Sequence, residues 1–104
     1  MTDQEIIDIV VKRFSENEKP KAIYLFGSQA RGNQSKDSDI DLLIETDTSD
    51  SLSERYTRYR RLLRGLKKPF DLLIYNSKEI EEKKKDKYSV VSKAMAEGIK
   101  IYGA

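Results

Sequence analysis

The sequence contains neither cysteine nor histidine. That excludes disulfides, thiolate nucleophiles, Cys/His zinc sites and a Ser-His-Asp triad. Any metal must be held by oxygen ligands, which selects a hard ion such as Mg²⁺ or Mn²⁺. No run of about 18 apolar residues is present, so no membrane span is expected. The opening MTDQEIIDIV is acidic and lacks the basic start of a secretory leader, so a cytoplasmic location is expected. The chain has 104 residues, 38% hydrophobic and 37% charged, with a formal net charge of only +2. The length fits one small domain, residues 1–104, with no repeat and no linker.

The charges are segregated. Asp37, Asp39, Asp41, Glu45, Asp47, Asp50 and Glu54 stand together, followed by Arg55, Arg58, Arg60, Arg61, Arg64, Lys67 and Lys68. Such a change of sign marks either a cation site beside an anion-binding surface or an ordinary solvated helix face. The lysine-rich 83–87 reads as a solvated helix end.

Apolar periodicity predicts the elements. Thr2 and Glu5 form a capping-box pattern ahead of Ile6, Ile7, Val10, Val11 and Phe14, so 3–17 reads as an amphipathic helix closed by Lys19-Pro20. Residues 22–26 (AIYLF) read as a buried strand ending at Gly27, with a helical turn over 29–31 before Gly32. Ile40, Leu42, Leu43 and Ile44 make a second strand entered through Asp39 and Asp41. Ser51 and Glu54 cap a helix whose apolar face is Leu52, Tyr56, Tyr59, Leu62, Leu63 and Leu66, with the arginines largely opposite and Gly65 as its end. Residues 70–75 (FDLLIY) form a third strand. Ser77 is a candidate cap for a helix through the lysines, and another helix turns Val90, Val91, Ala94 and Met95 inward and stops at Gly98. Residues 99–102 alternate as a short edge strand. The alternation of helices and strands implies an α/β domain with a small mixed sheet flanked by helices.

The chemistry concentrates in Tyr24-Leu25-Phe26-Gly27-Ser28-Gln29-Ala30-Arg31-Gly32 and Ser38-Asp39-Ile40-Asp41-Leu42. Gly27 to Gly32 has the glycine spacing of a P-loop, but Asn33 and Gln34 stand where Lys and Ser/Thr are required, so a P-loop is rejected. Asp39 and Asp41 point to one face of a strand, about 6.6–7 Å apart along it. A bare Asp-x-Asp is most simply a strand start in solvent. Here it coincides with a Gly27-Ser28 turn able to meet phosphate oxygens and with Asp71 at the start of the next strand. Three carboxylates beside a phosphate-binding turn suit phosphoryl or nucleotidyl transfer, in which two Mg²⁺ ions about 3.5–4 Å apart clamp the attacking and leaving oxygens.

Gly27-Ser28, ten residues, then Asp39-x-Asp41 resembles the signature of the DNA polymerase beta-like nucleotidyltransferase superfamily, and more narrowly its minimal nucleotidyltransferase (MNT) members. The resemblance extends through Phe70-Asp71-Leu72-Leu73 and the closing Glu97 to Tyr102. It implies the polymerase beta-like fold, with Asp39 and Asp41 as ligands of Mg²⁺ (two ions, or Mn²⁺ in their place). It implies Asp71 as the third carboxylate, binding metal and activating the acceptor hydroxyl, and Gly27 and Ser28 on the triphosphate of ATP. Arg31 is either a phosphate or acceptor contact or a helix-surface arginine. The resemblance further implies an antitoxin paired in a hetero-oligomer with a HEPN-domain toxin, transferring AMP to a tyrosine of that partner. An antitoxin that neutralises by binding alone is the alternative. The near-neutral charge and the missing aromatic-basic RNA motif argue against direct nucleic-acid binding. Tyr and Arg of 55–64 offer a partner surface, although Tyr56 and Tyr59 read more simply as core.

Overall fold

The computed structural model describes residues 1–103; Ala104, the last residue of the expected domain, lies outside them. The elements are α1 (Asp3–Asn17), β1 (Ala22–Phe26), α2 (Ser28–Arg31), β2 (Ile40–Glu45), α3 (Leu52–Arg61), β3 (Phe70–Tyr75), α4 (Ser77–Lys84), α5 (Val90–Glu97) and β4 (Ile99–Gly103). The four strands form one sheet in the order β3-β2-β1-β4. β1 pairs antiparallel with both β2 and β4, whereas β2 and β3 run parallel, joined through α3. The sheet is thus mixed, as expected, and β4 lies at an edge.

Strand alternation separates the two faces of the sheet. Ile23, Leu25, Ile40, Leu42, Ile44, Leu72 and Ile74 turn to one side and pack with Ile6, Ile7, Val10 and Phe14 of α1 and with Tyr59 and Leu63. Tyr24, Phe26, Leu43, Leu73 and Tyr75 turn to the other side, where Ala94 and Met95 of α5 cover them. α1 starts with the expected capping box, in which the Glu5 backbone N–H donates to Thr2 Oγ1 (3.1 Å) and the Thr2 N–H to Glu5 Oε1 (3.0 Å). Phe14 meets Tyr59 edge-to-face at 4.8 Å between ring centroids, fixing α3 against α1.

Several expectations change. α3 ends at Arg61 with Leu62 as its cap, and Gly65, at φ +85°, closes a following stretch of turns rather than the helix itself. Leu52 and Tyr56 are exposed, so only Tyr59 of the two tyrosines is core. Arg55 does not join the solvated arginines: it is buried, with Nε donating to the Asp50 carbonyl (2.9 Å) and Nη1 to Glu79 Oε1 (2.6 Å). Asn76, not Ser77, caps α4, its side chain accepting from the Glu79 N–H at 2.8 Å. Val90 is exposed rather than inward. No helix among the described residues is long and apolar enough to cross a membrane.

Candidate functional site

The site is built where β1 turns into α2, against the starts of β2 and β3. β1 is apolar up to Phe26, and Gly27 then takes φ +70°, which L side chains rarely adopt. Its carbonyl accepts the N–H groups of Ala30 (3.2 Å) and Arg31 (3.1 Å), winding one helical turn that Gly32 ends in the left-handed conformation. A Cβ built on Gly27 would collide with Oδ2 of Asp41. Glycine therefore lets the turn lie directly against that carboxylate, a constraint the sequence shows only as a glycine after a strand.

The register explains why Asp41 is there. Phe26 pairs with Asp41 across the antiparallel β1/β2 ladder, and Asp41 pairs with Asp71 across the parallel β2/β3 ladder. Asp39 precedes β2 by one residue. Asp41 and Asp71 alternate with Leu42 and Leu72, which face the α1/α3 core, so both carboxylates turn to the α5 side. Asp41 is partly buried, while Asp39 and Asp71 are exposed. Burial pushes the Asp41 carboxyl above the ordinary carboxylate range; the charges of Asp71 and Asp39 push it further, and Arg31 opposes them.

A cavity of about 370 Å³ opens beside Asp41, lined by Phe26, Gly27, Ser28, Arg31, Val90, Lys93 and Glu97. Of the six residues singled out in the sequence, Gly27, Ser28, Arg31 and Asp41 line this cavity, whereas Asp39 and Asp71 adjoin Asp41 without lining it. Arg31 is exposed, and its Nη1 donates to Glu97 Oε2 at 3.2 Å. Sequence reasoning gave no role to Lys93 or Glu97. Their spacing of four on one helix was legible, but only the return of α5 over the sheet brings them to Gly27.

No group of three acidic side chains among the described residues closes into a ready metal cage. A hard divalent ion fits nonetheless. The donors are carboxylate oxygens that repel one another, which a cation would relieve, and Mg²⁺ needs only one or two protein carboxylates when phosphate oxygens complete its shell.

The family model for polymerase beta nucleotidyltransferases matches residues 7–103. The chain belongs to this family. It is a nucleotidyltransferase with the polymerase beta fold expected from Gly27-Ser28 and Asp39-x-Asp41. A Methanocaldococcus jannaschii protein named "Putative protein adenylyltransferase MJ1379" is 37% identical to this nucleotidyltransferase over 71 residues, 68% of this chain and 69% of that protein. Among solved structures, a toxin-antitoxin with AMP-PNP superposes with a TM-score of 0.67 at 24% identity, over 99% of this chain and 75% of that one. A complex of tri-AMPylated Shewanella oneidensis HEPN toxin with MNT antitoxin gives 0.64 at 19% identity, over 99% and 74%. At these identities the likeness is one of fold.

Proposed function

We propose that this nucleotidyltransferase moves AMP from ATP onto a tyrosine hydroxyl of a HEPN-domain toxin in the cytoplasm, and so acts as its antitoxin. The single observation that carries the reading is the pairing of Asp41 with Asp71 directly against the Gly27 turn. This arrangement sets the Gly27 turn beside two carboxylates on one sheet face, which supports nucleotide binding there. The adenylyltransferase name of the M. jannaschii relative and the AMP-PNP and AMPylated-toxin complexes of the structural neighbours support the same chemistry and the same class of partner.

In the proposed reaction the phenolic oxygen of the acceptor attacks the α-phosphorus of ATP. A P–O bond forms there, the bond from that phosphorus to the bridging oxygen breaks, and pyrophosphate leaves with the electron pair. Gly27 and Ser28 seat the triphosphate. Asp71, exposed at the start of β3, takes the phenolic proton as the new bond forms. Asp39 and Asp41 would hold Mg²⁺, or Mn²⁺ in its place, which when bound supplies charge neutralisation for the triphosphate and the departing pyrophosphate.

The test combines α-labelled ATP, Mg²⁺, the chain and a purified HEPN-domain partner. Wild type should label the partner, and Asp39→Asn/Asp41→Asn should reduce labelling about a thousandfold or more. Neutralisation of the toxin by both proteins, with label from neither, would replace this reading with neutralisation by binding alone.

A further inference from the structure

The cavity beside Asp41 contains a cation that no step above employs. α5 carries Lys93 and Glu97 four residues apart, hence on one helix face, and both line the cavity with Gly27, Ser28 and Arg31. The two residues differ in their partners. Glu97 accepts from Arg31 at 3.2 Å, with both side chains partly exposed. Lys93 enters no ion pair among the described residues. The cavity thus has an arginine from α2 already engaged by an acid and, one turn away on α5, a lysine with its charge uncommitted.

We infer that Arg31 and Lys93 form a two-sided cationic clamp on the polyphosphate of the nucleotide, with Glu97 as a built-in competitor that releases Arg31 when the polyphosphate arrives. The inference rests on the nucleotide reading above and adds to it the residues that set affinity. A polyphosphate carries several negative charges, and among the described residues the acidic side chains lining this cavity are Asp41 and Glu97. The planar guanidinium of Arg31 can grip two phosphate oxygens at once, and the Lys93 ammonium, on α5, acts as a compact point charge. A partly exposed ion pair contributes little stability, so exchanging Glu97 for phosphate on Arg31 is cheap. Two neighbouring residues of one helix face therefore have opposite effects on nucleotide affinity.

The experiment titrates AMP-PNP with Mg²⁺ into the full chain by calorimetry at fixed ionic strength. Lys93→Gln should weaken binding about tenfold, the scale of one lost hydrogen bond to a charged group. Lys93→Arg should restore most of the affinity. Glu97→Gln should tighten binding about threefold, the scale of a partly exposed ion pair. Lys12→Gln, exposed on α1, serves as the control and should leave affinity unchanged. In the transfer assay Lys93→Gln should raise KM for ATP with kcat nearly preserved. Thermal unfolding establishes that each variant is folded, which the exposure of Lys93 and Glu97 favours. An unchanged Kd for Lys93→Gln, or weaker binding for Glu97→Gln, overturns the clamp while leaving the nucleotide reading intact. A wild-type chain that does not bind AMP-PNP overturns both.

Discussion

Asp41 shows how much chemistry a single position can concentrate. It is partly buried, pairs with Asp71 across a ladder, stands two residues from Asp39 just before the strand, and touches the space that a side chain on Gly27 would need. Burial foremost, then the two neighbouring carboxylates, raise its pKa in the folded chain, so the native state holds that proton more tightly than the unfolded chain does. A charged Asp41 therefore costs stability above the raised pKa, and the cost disappears as pH falls through it. Asp41→Asn should raise the midpoint of thermal unfolding at neutral pH, by no more than a few degrees because solvent screens a partly exposed site. The gap from wild type should narrow on acidification, as calorimetric scans across a pH series will show. A residue selected for fold stability would give the opposite sign.

At the scale of elements, α3 and α4 are tied together by a charge that the sequence presents as surface. Arg55 is 3% exposed and bridges the Asp50 carbonyl and the Glu79 carboxylate. Burial alone would raise the Glu79 pKa; the Arg55 hydrogen bond, the Asn76 N–H and the charges of Arg55 and Lys83 outweigh it and hold it low. That contribution is present above the ordinary carboxylate range and is lost as pH falls through the lowered pKa. Arg55→Met should destabilise the chain by about 2 kcal/mol in urea unfolding, less than for a fully buried pair because Glu79 keeps contact with water. Asp50→Asn should cost less, because Arg55 uses the Asp50 backbone. Helical spacing could not reveal Arg55, since an arginine next to an apolar stripe reads the same whether it lies in or out of the core. Tyr56 failed for the related reason that a stripe gives the direction of a face but not its width. The capping box of α1, the strand runs and the edge position of β4 were legible because each depends on residues within a few positions of one another; at α3 Ser51 accepts from the Glu54 N–H without closing a box. Tyr59 is buried with its hydroxyl making no hydrogen bond among the described residues, although Thr46 stands close, and burial lifts its pKa to about 12.

For the whole molecule, the parallel pairing of β2 with β3 is what turns a local pattern into a site. Asp39 and Asp41 could be read from their spacing, and Asp71 only on the condition that its strand lay next to theirs, which the register meets. Lys93 and Glu97 were illegible because their contribution depends on α5 closing over the far face, a relation that spans more than 60 positions of the chain from Gly27. The same register separates chemistry from structure. Leu42→Ala, on the α1/α3 side, should cost about 2–4 kcal/mol in urea unfolding. Asp71→Asn, one strand over on the opposite side and exposed, should abolish transfer without loss of stability.

A saturation-mutagenesis map of β2 and β3 would consequently be striped. Odd positions 41 and 71 would fail a growth-rescue assay while yielding ample folded protein, and even positions 42, 44, 72 and 74 would fail by degradation. Two adjacent codons would then answer to two different selective pressures, and a relative could lose its catalysis by drift at positions 41 and 71 while the buried positions on both faces, Leu43 included, held the scaffold in place.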